Sequence, residues 1–271
     1  MTFRATDQHI VEYYHHGYTV FRGVIEPSLL DELRLAGDEV ERLSYGQFNV
    51  KVSRSPSIMR MWEALSPRSR QAFTDYEQYA PLLDAIHKVL TPRHTHTRLV
   101  NLAIFLTEKD EPIVQDWHRD MAENYPGVDN DEFARVKLDP QIFTQYNCAL
   151  YTDQCLWYVP GSAGRKNTQG ELDAAGPPYG GIEGRGRILN AELEGKSYAE
   201  RERRCLAYCQ SMPNAINLVL EGGDYAVYRP LGWHTGYYAP HRKRLTLHDW
   251  PSSPELVDWY ERRSKRMQMA T

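Results

Sequence analysis

A β-barrel buttressed by helices, mainly β with flanking helices, is the fold class this sequence predicts, and three observations predict it. From Thr97 onward, short β-prone runs follow one another, punctuated by Gly, Pro and Asp. Before that point the apolar residues recur at helical spacing instead. The chain of 271 residues is also long enough for one large domain, a common size for a barrel closed as a single unit. The expectation is therefore one domain over 1–271, with a helical buttress over about 1–96 and a barrel over about 97–250.

The elements follow in order. Thr6 to Tyr18 suits a short helix stopped by Gly17, and it leads into the β-rich run YTVFRGVI. Glu26 and Pro27 open SLLDELRLAGDEVERL, where Leu29, Leu30, Leu33, Val40 and Leu43 form one helical face. A further helix is expected over Tyr79 to Val89, with Pro81 in its first turn. The strands then read TRLVNLAIFLT, FTQYNCALYT, CLWYVPGS, AINLVLEGGDYAVYRP and RLTLHDW. Between them, about 164–209 carries GPPYGG, GRGR and the charged run SYAERERRCLAYCQ, an insertion expected to act as a lid or substrate wall.

Composition excludes several functions. The chain is 41% hydrophobic and 25% charged with a net charge of -4, so it is not expected to be disordered and offers no basic field for a nucleic acid. No apolar run reaches the roughly 18 residues of a membrane span, and the first residues lack a signal peptide's apolar stretch. A cytoplasmic enzyme for a small-molecule substrate is the expectation, with oligomeric state left open. Cys148, Cys155, Cys205 and Cys209 form no CxxC pair and are read as reduced, buried residues.

The sharpest local signal is QDWHRDM. In an extended strand residues i and i+2 share a face, so His118 and Asp120 would project an imidazole and a carboxylate toward one point. Far along the chain, EGGDYAVYRPLGWHTG brings up His234 after a turn, a strand and a proline-bounded bend. Two histidines and one carboxylate on one face of an octahedral ion leave three positions open, the arrangement suited to Fe(II) with a bidentate co-substrate and dioxygen. A cation for the distal carboxylate of 2-oxoglutarate is at hand in RKRLTLHDW, where Arg242, Arg244, Thr246 and His248 share a face. Arg244 is favoured, with Thr246 two positions on to assist, and Arg242 stays a candidate. Gln145 and Asn147 share a parity on FTQYNCAL and are candidates for bonding the co-substrate or substrate.

These stretches, taken in order, resemble the phytanoyl-CoA dioxygenase family. GYTVFRGVIEPSLLDELR resembles its entry strand and helix, QDWHRDM its HxD segment, and CLWYVPGSAG its PGSH turn, with Ala163 in place of the histidine. NLVLEGGDYAVYRPLGWHTG is similar to its distal-histidine segment and RKRLTLHDW to its closing strand. The resemblance implies a double-stranded β-helix, or jelly roll, with Fe(II), 2-oxoglutarate and O2 as cofactors. It also implies oxidative decarboxylation of 2-oxoglutarate to succinate and CO2, coupled to hydroxylation of the substrate. Asp120 argues against a halogenase in which a small residue replaces that ligand.

Two other classes compete. A barrel kept as a binding or scaffold protein would have no use for the triad, and a cupin-like lyase or isomerase would have none for the arginine. His94 and His96 also stand at strand spacing, but no carboxylate follows and a polar surface or loop position is expected. Trp117, Trp157, Trp233, Tyr237 and Tyr238 cluster near the site in sequence and serve either as core or as substrate wall.

Overall fold

In a computed structural model, which describes residues 3–48, 56–121, 126–176 and 185–269, the front of the chain is helical. Helix α1 (Asp7–His16) starts where the Thr6 N–H donates to His9 Nδ1 at 2.9 Å and stops at Gly17, whose φ of 80° favours a residue without a Cβ. Strand β1 (Tyr18–Phe21) leads to α2 (Pro27–Gly46), opened by Pro27. A 3₁₀ segment, Ile58–Ala64, precedes α3 (Pro67–Glu77) and α4 (Ala80–Val89).

The remaining elements are β2 (Ala103–Phe105), β3 (Ile113–Val114), α5 (Asn130–Val136), β4 (Gln145–Ala149) and β5 (Leu156–Tyr158). Helices α6 (Gln169–Ala175), α7 (Arg185–Glu192) and α8 (Tyr198–Ser211) follow. The chain closes with β6 (Ile216–Asn217), β7 (Tyr225–Tyr228), β8 (His234–Tyr238), β9 (Thr246–Asp249) and α9 (Pro254–Met269). Two antiparallel sheets result, one in the order β1-β7-β4-β9-β2 and one in the order β3-β8-β5-β6.

Side-chain alternation divides the larger sheet into a core face and a cavity face. Tyr146, Cys148, Tyr225, Val227 and Leu247 pack with Leu30, Leu33 and Ile86 of the front helices into one buried core. On the opposite parity, Gln145, Asn147, Tyr228 and His248 line a cavity. Asn147 sits in the middle of this face, paired with Ala226 on one side and His248 on the other.

The expectation of a mainly β chain needs correction: among the described residues helices hold more of the chain than strands. The strands are two to five residues long, whereas α2 alone spans 20. Helices α3, α5 and α9 were not read from the sequence. The insertion is helical, and α7 and α8 pack on β3 at the edge of the smaller sheet. Asn190 of α7 completes that edge, its side chain accepting from Val114 N at 3.1 Å and donating to Val114 O at 2.7 Å. Of the GPPYGG run, all but Gly176 lies outside the described residues. His94 and His96 sit in a loop but are buried, not superficial. Their Nε2 atoms bond the carbonyls of Gln141 and Glu77, which explains two polar rings in the interior.

Candidate metal centre

The site is built on a backbone pair. His118 and His234 exchange both N–H···O bonds, each 3.0 Å, as a single antiparallel bridge, and this puts their rings on one face with centroids 4.2 Å apart. The Asp120 N–H donates to Pro230 O at 3.0 Å, which carries the pairing on and returns a carboxylate to the same face. Asp120 Oδ1 is 3.4 Å from both His118 Nε2 and His234 Nε2. These three side chains offer ligand atoms that all lie within 4.8 Å of one another.

The hydrogen bonds around the triad suit a metal. His118 Nδ1 lies 2.7 Å from Asp116 O, and His234 Nδ1 lies 2.9 Å from Gly232 O. A carbonyl can only accept, so Nδ1 carries a proton in each ring and Nε2 is the nitrogen turned toward the carboxylate, where it could ligate an ion. Gln145 Nε2 donates to Asp120 Oδ2, and the Tyr228 hydroxyl donates to Gln145 Oε1 at 3.1 Å. One carboxylate oxygen is thereby occupied while the other faces the histidines. Burial opposes charge on Asp120, but His234 and His118 outweigh it and hold the carboxyl well below its usual range.

All three residues line a cavity of about 240 Å³ together with Gln145, Asn147, Arg244 and His248. Arg244 is 5% exposed, and its guanidinium carbon lies 4.3 Å from the Phe105 ring centroid and 5.0 Å from that of Tyr238. Its Nε donates to Asp153 Oδ2 at 3.0 Å, while Nη1 has no hydrogen-bond partner among the described residues. Thr246 Oγ1 donates to the same Asp153 oxygen at 2.6 Å, so this hydroxyl is committed to the carboxylate, and Thr246 is absent from the cavity lining. Arg242 is also absent from the lining and donates to Gln154 Oε1 at 2.6 Å. His248 Nδ1 meets Tyr146 O and Asn147 Oδ1, and burial pushes its pKa down to about 4, so a neutral ring lines the cavity.

Sequence reasoning missed Asp153. Burial opposes its ionisation, but Arg244 and Thr246 hold the carboxyl below the usual range. Its one local signal is an Asp just before a strand, where Oδ1 accepts from Cys155 N at 2.8 Å. Tyr228 and Phe105 were missed too, since a tyrosine or phenylalanine in a strand carries no mark of which face it takes. Of the expected aromatic wall only Tyr238 lines the cavity. Trp117 and Trp233 pack with Ala174 of the insertion and with Met212 after it, and Tyr237 packs with Leu193 and Cys205.

Arg119, between the two HxD ligands, points elsewhere. It donates to Ser162 O at 3.0 Å, to Leu231 O and to Asn167 Oδ1, tying the ligand segment to the loop before His234.

A donor set of two imidazoles and a carboxylate fits a six-coordinate ion with open positions better than a closed tetrahedral zinc site. Known structures share the fold. AviO1 from Streptomyces viridochromogenes Tue57 matches with a TM-score of 0.52 at 13% identity, covering 93% of this chain and 100% of that one. The epimerase SnoN in complex with Fe3+, alpha ketoglutarate and nogalamycin RO matches at 0.51 and 15% identity, covering 89% and 81%. HygX from Streptomyces hygroscopicus with nickel and 2-oxoglutarate bound matches at 0.51 and 15% identity, covering 90% and 86%. No family model matches the sequence, and no curated protein matches it. The chain therefore shares the fold of these structures.

Proposed function

We propose that this chain is an Fe(II)- and 2-oxoglutarate-dependent oxygenase of the phytanoyl-CoA dioxygenase type that hydroxylates a small molecule while 2-oxoglutarate becomes succinate and CO2. One observation carries the reading: the triad and a buried guanidinium, its Nη1 unpartnered among the described residues, line the same cavity. A scaffold protein has no use for the open metal face, and a metal-dependent lyase has none for the cation beside it. The occurrence of this fold in SnoN with Fe3+ and alpha ketoglutarate, and in HygX with nickel and 2-oxoglutarate, adds support. On this reading 1–271 act as one domain, and the two sheets are the halves of a double-stranded β-helix.

His118, Asp120 and His234 would hold iron, which when bound supplies open coordination positions for the keto acid and dioxygen together with redox chemistry. The protein's own part is to bind and to orient. Gln145 keeps Asp120 turned toward the two rings, and Asn147 accepts from His248 through Oδ1 while lining the cavity, where it can meet the co-substrate or substrate. Arg244 receives the distal carboxylate as a charge-assisted pair, and Phe105 and Tyr238 shield that pair from water. A cavity of about 240 Å³ is below the roughly 300 Å³ at which drug-sized sites begin, a size for an ion and a five-carbon keto acid.

The test is anaerobic titration with Fe(II) and then 2-oxoglutarate, reading the weak visible charge-transfer band of the chelated keto acid. The band, and succinate released in air, are expected from the wild type and absent from His118→Ala. Absence of both from the wild type would favour the scaffold reading. Once a substrate is in hand, incorporation of labelled dioxygen into the product separates hydroxylation from the epimerisation that SnoN is named for.

A further inference from the structure

We propose that Asp153 is a positioning residue that aims Arg244 and sets how tightly the site grips the distal carboxylate shared by 2-oxoglutarate and succinate; the inference rests on the function proposed above. Asp153 and Arg244 are an ion pair in the interior, their side chains 2% and 6% exposed. Asp153 is itself fixed from several directions. Its backbone exchanges two hydrogen bonds of 2.8 Å with Leu220, Oδ1 accepts from Cys155 N, and Oδ2 accepts from Thr246 and Arg244. A carboxylate so anchored fixes the direction of the guanidinium it holds. With Nε taken and the Phe105 and Tyr238 ring centroids 4.3 and 5.0 Å from the guanidinium carbon, Nη1 is left without a hydrogen-bond partner among the described residues.

The charge matters as well as the geometry. The pair is neutral overall, so an incoming carboxylate meets a cation whose field is already offset by an anion 3.0 Å away. The co-substrate and its product carry the same distal carboxylate, because decarboxylation takes place at the other end of the molecule. Every increment of affinity at Arg244 is therefore inherited by succinate, which must leave. Asp153 lowers both affinities together, trading co-substrate affinity for product release.

Replacing Asp153 by Asn keeps an acceptor for Nε and removes the charge. A buried guanidinium without its counter-ion then destabilises the ligand-free protein, and a ligand carboxylate restores the balance. The experiment measures, by calorimetry on Fe(II)-loaded protein under nitrogen, the dissociation constants of 2-oxoglutarate, of succinate and of 2-oxobutyrate, which lacks the distal carboxylate. In Asp153→Asn, 2-oxoglutarate and succinate should bind about tenfold more tightly, and 2-oxobutyrate about as in the wild type. The rise in melting temperature on adding succinate should also be larger than in the wild type.

Asp153→Ser, equally neutral, repeats the measurement if the Asn variant does not fold. A merely structural aspartate predicts the opposite, weaker binding of all three ligands. Unchanged or weaker succinate binding in a folded neutral variant overturns the inference and leaves the oxygenase reading standing. A wild type that binds 2-oxoglutarate no better than 2-oxobutyrate overturns the assignment of Arg244 as carboxylate anchor, and this inference with it.

Discussion

His118 and His234, 116 positions apart, are cross-strand partners that share two backbone hydrogen bonds, and this pairing is what makes a metal centre from two unrelated segments. The imidazoles do not need a metal to meet, because the ladder brings them together. His234→Ala should therefore leave the pairing and the circular dichroism unchanged while Fe(II) content after loading drops to background. Retention of stoichiometric iron by the folded variant would place the metal elsewhere.

Gln145 acts on the metal through Asp120. Loss of a hydrogen bond to a ligating carboxylate typically costs about 10- to 100-fold in metal affinity. Gln145→Ala should fall in that range, measured by competition with a chelator. Gln145→Glu should be worse, since a second carboxylate would face Asp120 Oδ2 across a hydrogen bond. If Gln145 bonded the keto acid instead, its loss would weaken 2-oxoglutarate and spare the metal.

Gly232 supplies the carbonyl that fixes the His234 tautomer, and it can do so only without a side chain. A Cβ there would lie 2.2 Å from the Tyr158 hydroxyl, which is itself buried and bonded to Gly17 O and Arg229 O. Gly232→Ala should push the 229–234 turn outward and lower both stability and metal affinity. A melting curve with and without bound Ni(II) reads both, and a Tyr158→Phe background should recover part of the loss.

Local chemistry was legible in the sequence where a residue type has few uses. Gly17, Pro27 and Pro81 marked helix ends and starts, and HxD marked two ligands at strand parity. What was not legible depends on partners far along the chain. Arg242 and Arg244 share a face in sequence, but Arg244 reaches a buried aspartate 91 positions away and Arg242 reaches Gln154 nearer the surface. Thr246 looked like a co-substrate ligand because alternation gives a face and not a partner, and Asp153 takes its hydroxyl. The shortness of the strands, down to two residues in β3, explains why helix was underestimated, since a β-prone run continues well past the residues that pair.

The buried His96, the cavity-lining His248 and the buried Asp249 set the pH dependence of stability in the metal-free protein. Burial pushes His96 and His248 down to about 4 from an ordinary value of 6.5, and pushes Asp249 up to about 6 from 3.8. Between pH 6 and 5 the unfolded chain protonates both histidines while the folded chain keeps them neutral, so the unfolded state binds two more protons there. Asp249 works the other way, because over the same window it is largely protonated when folded and ionised when unfolded. The difference is about one proton in favour of the unfolded state, so stability should fall by about 1.4 kcal/mol for each pH unit of acidification. Urea melts at pH 6 and pH 5 check the slope. His96→Gln should flatten it by about one proton, and Asp249→Asn should steepen it by about as much. A slope that both variants leave unchanged would mean that these rings and this carboxyl do not differ in protonation between the folded and unfolded states.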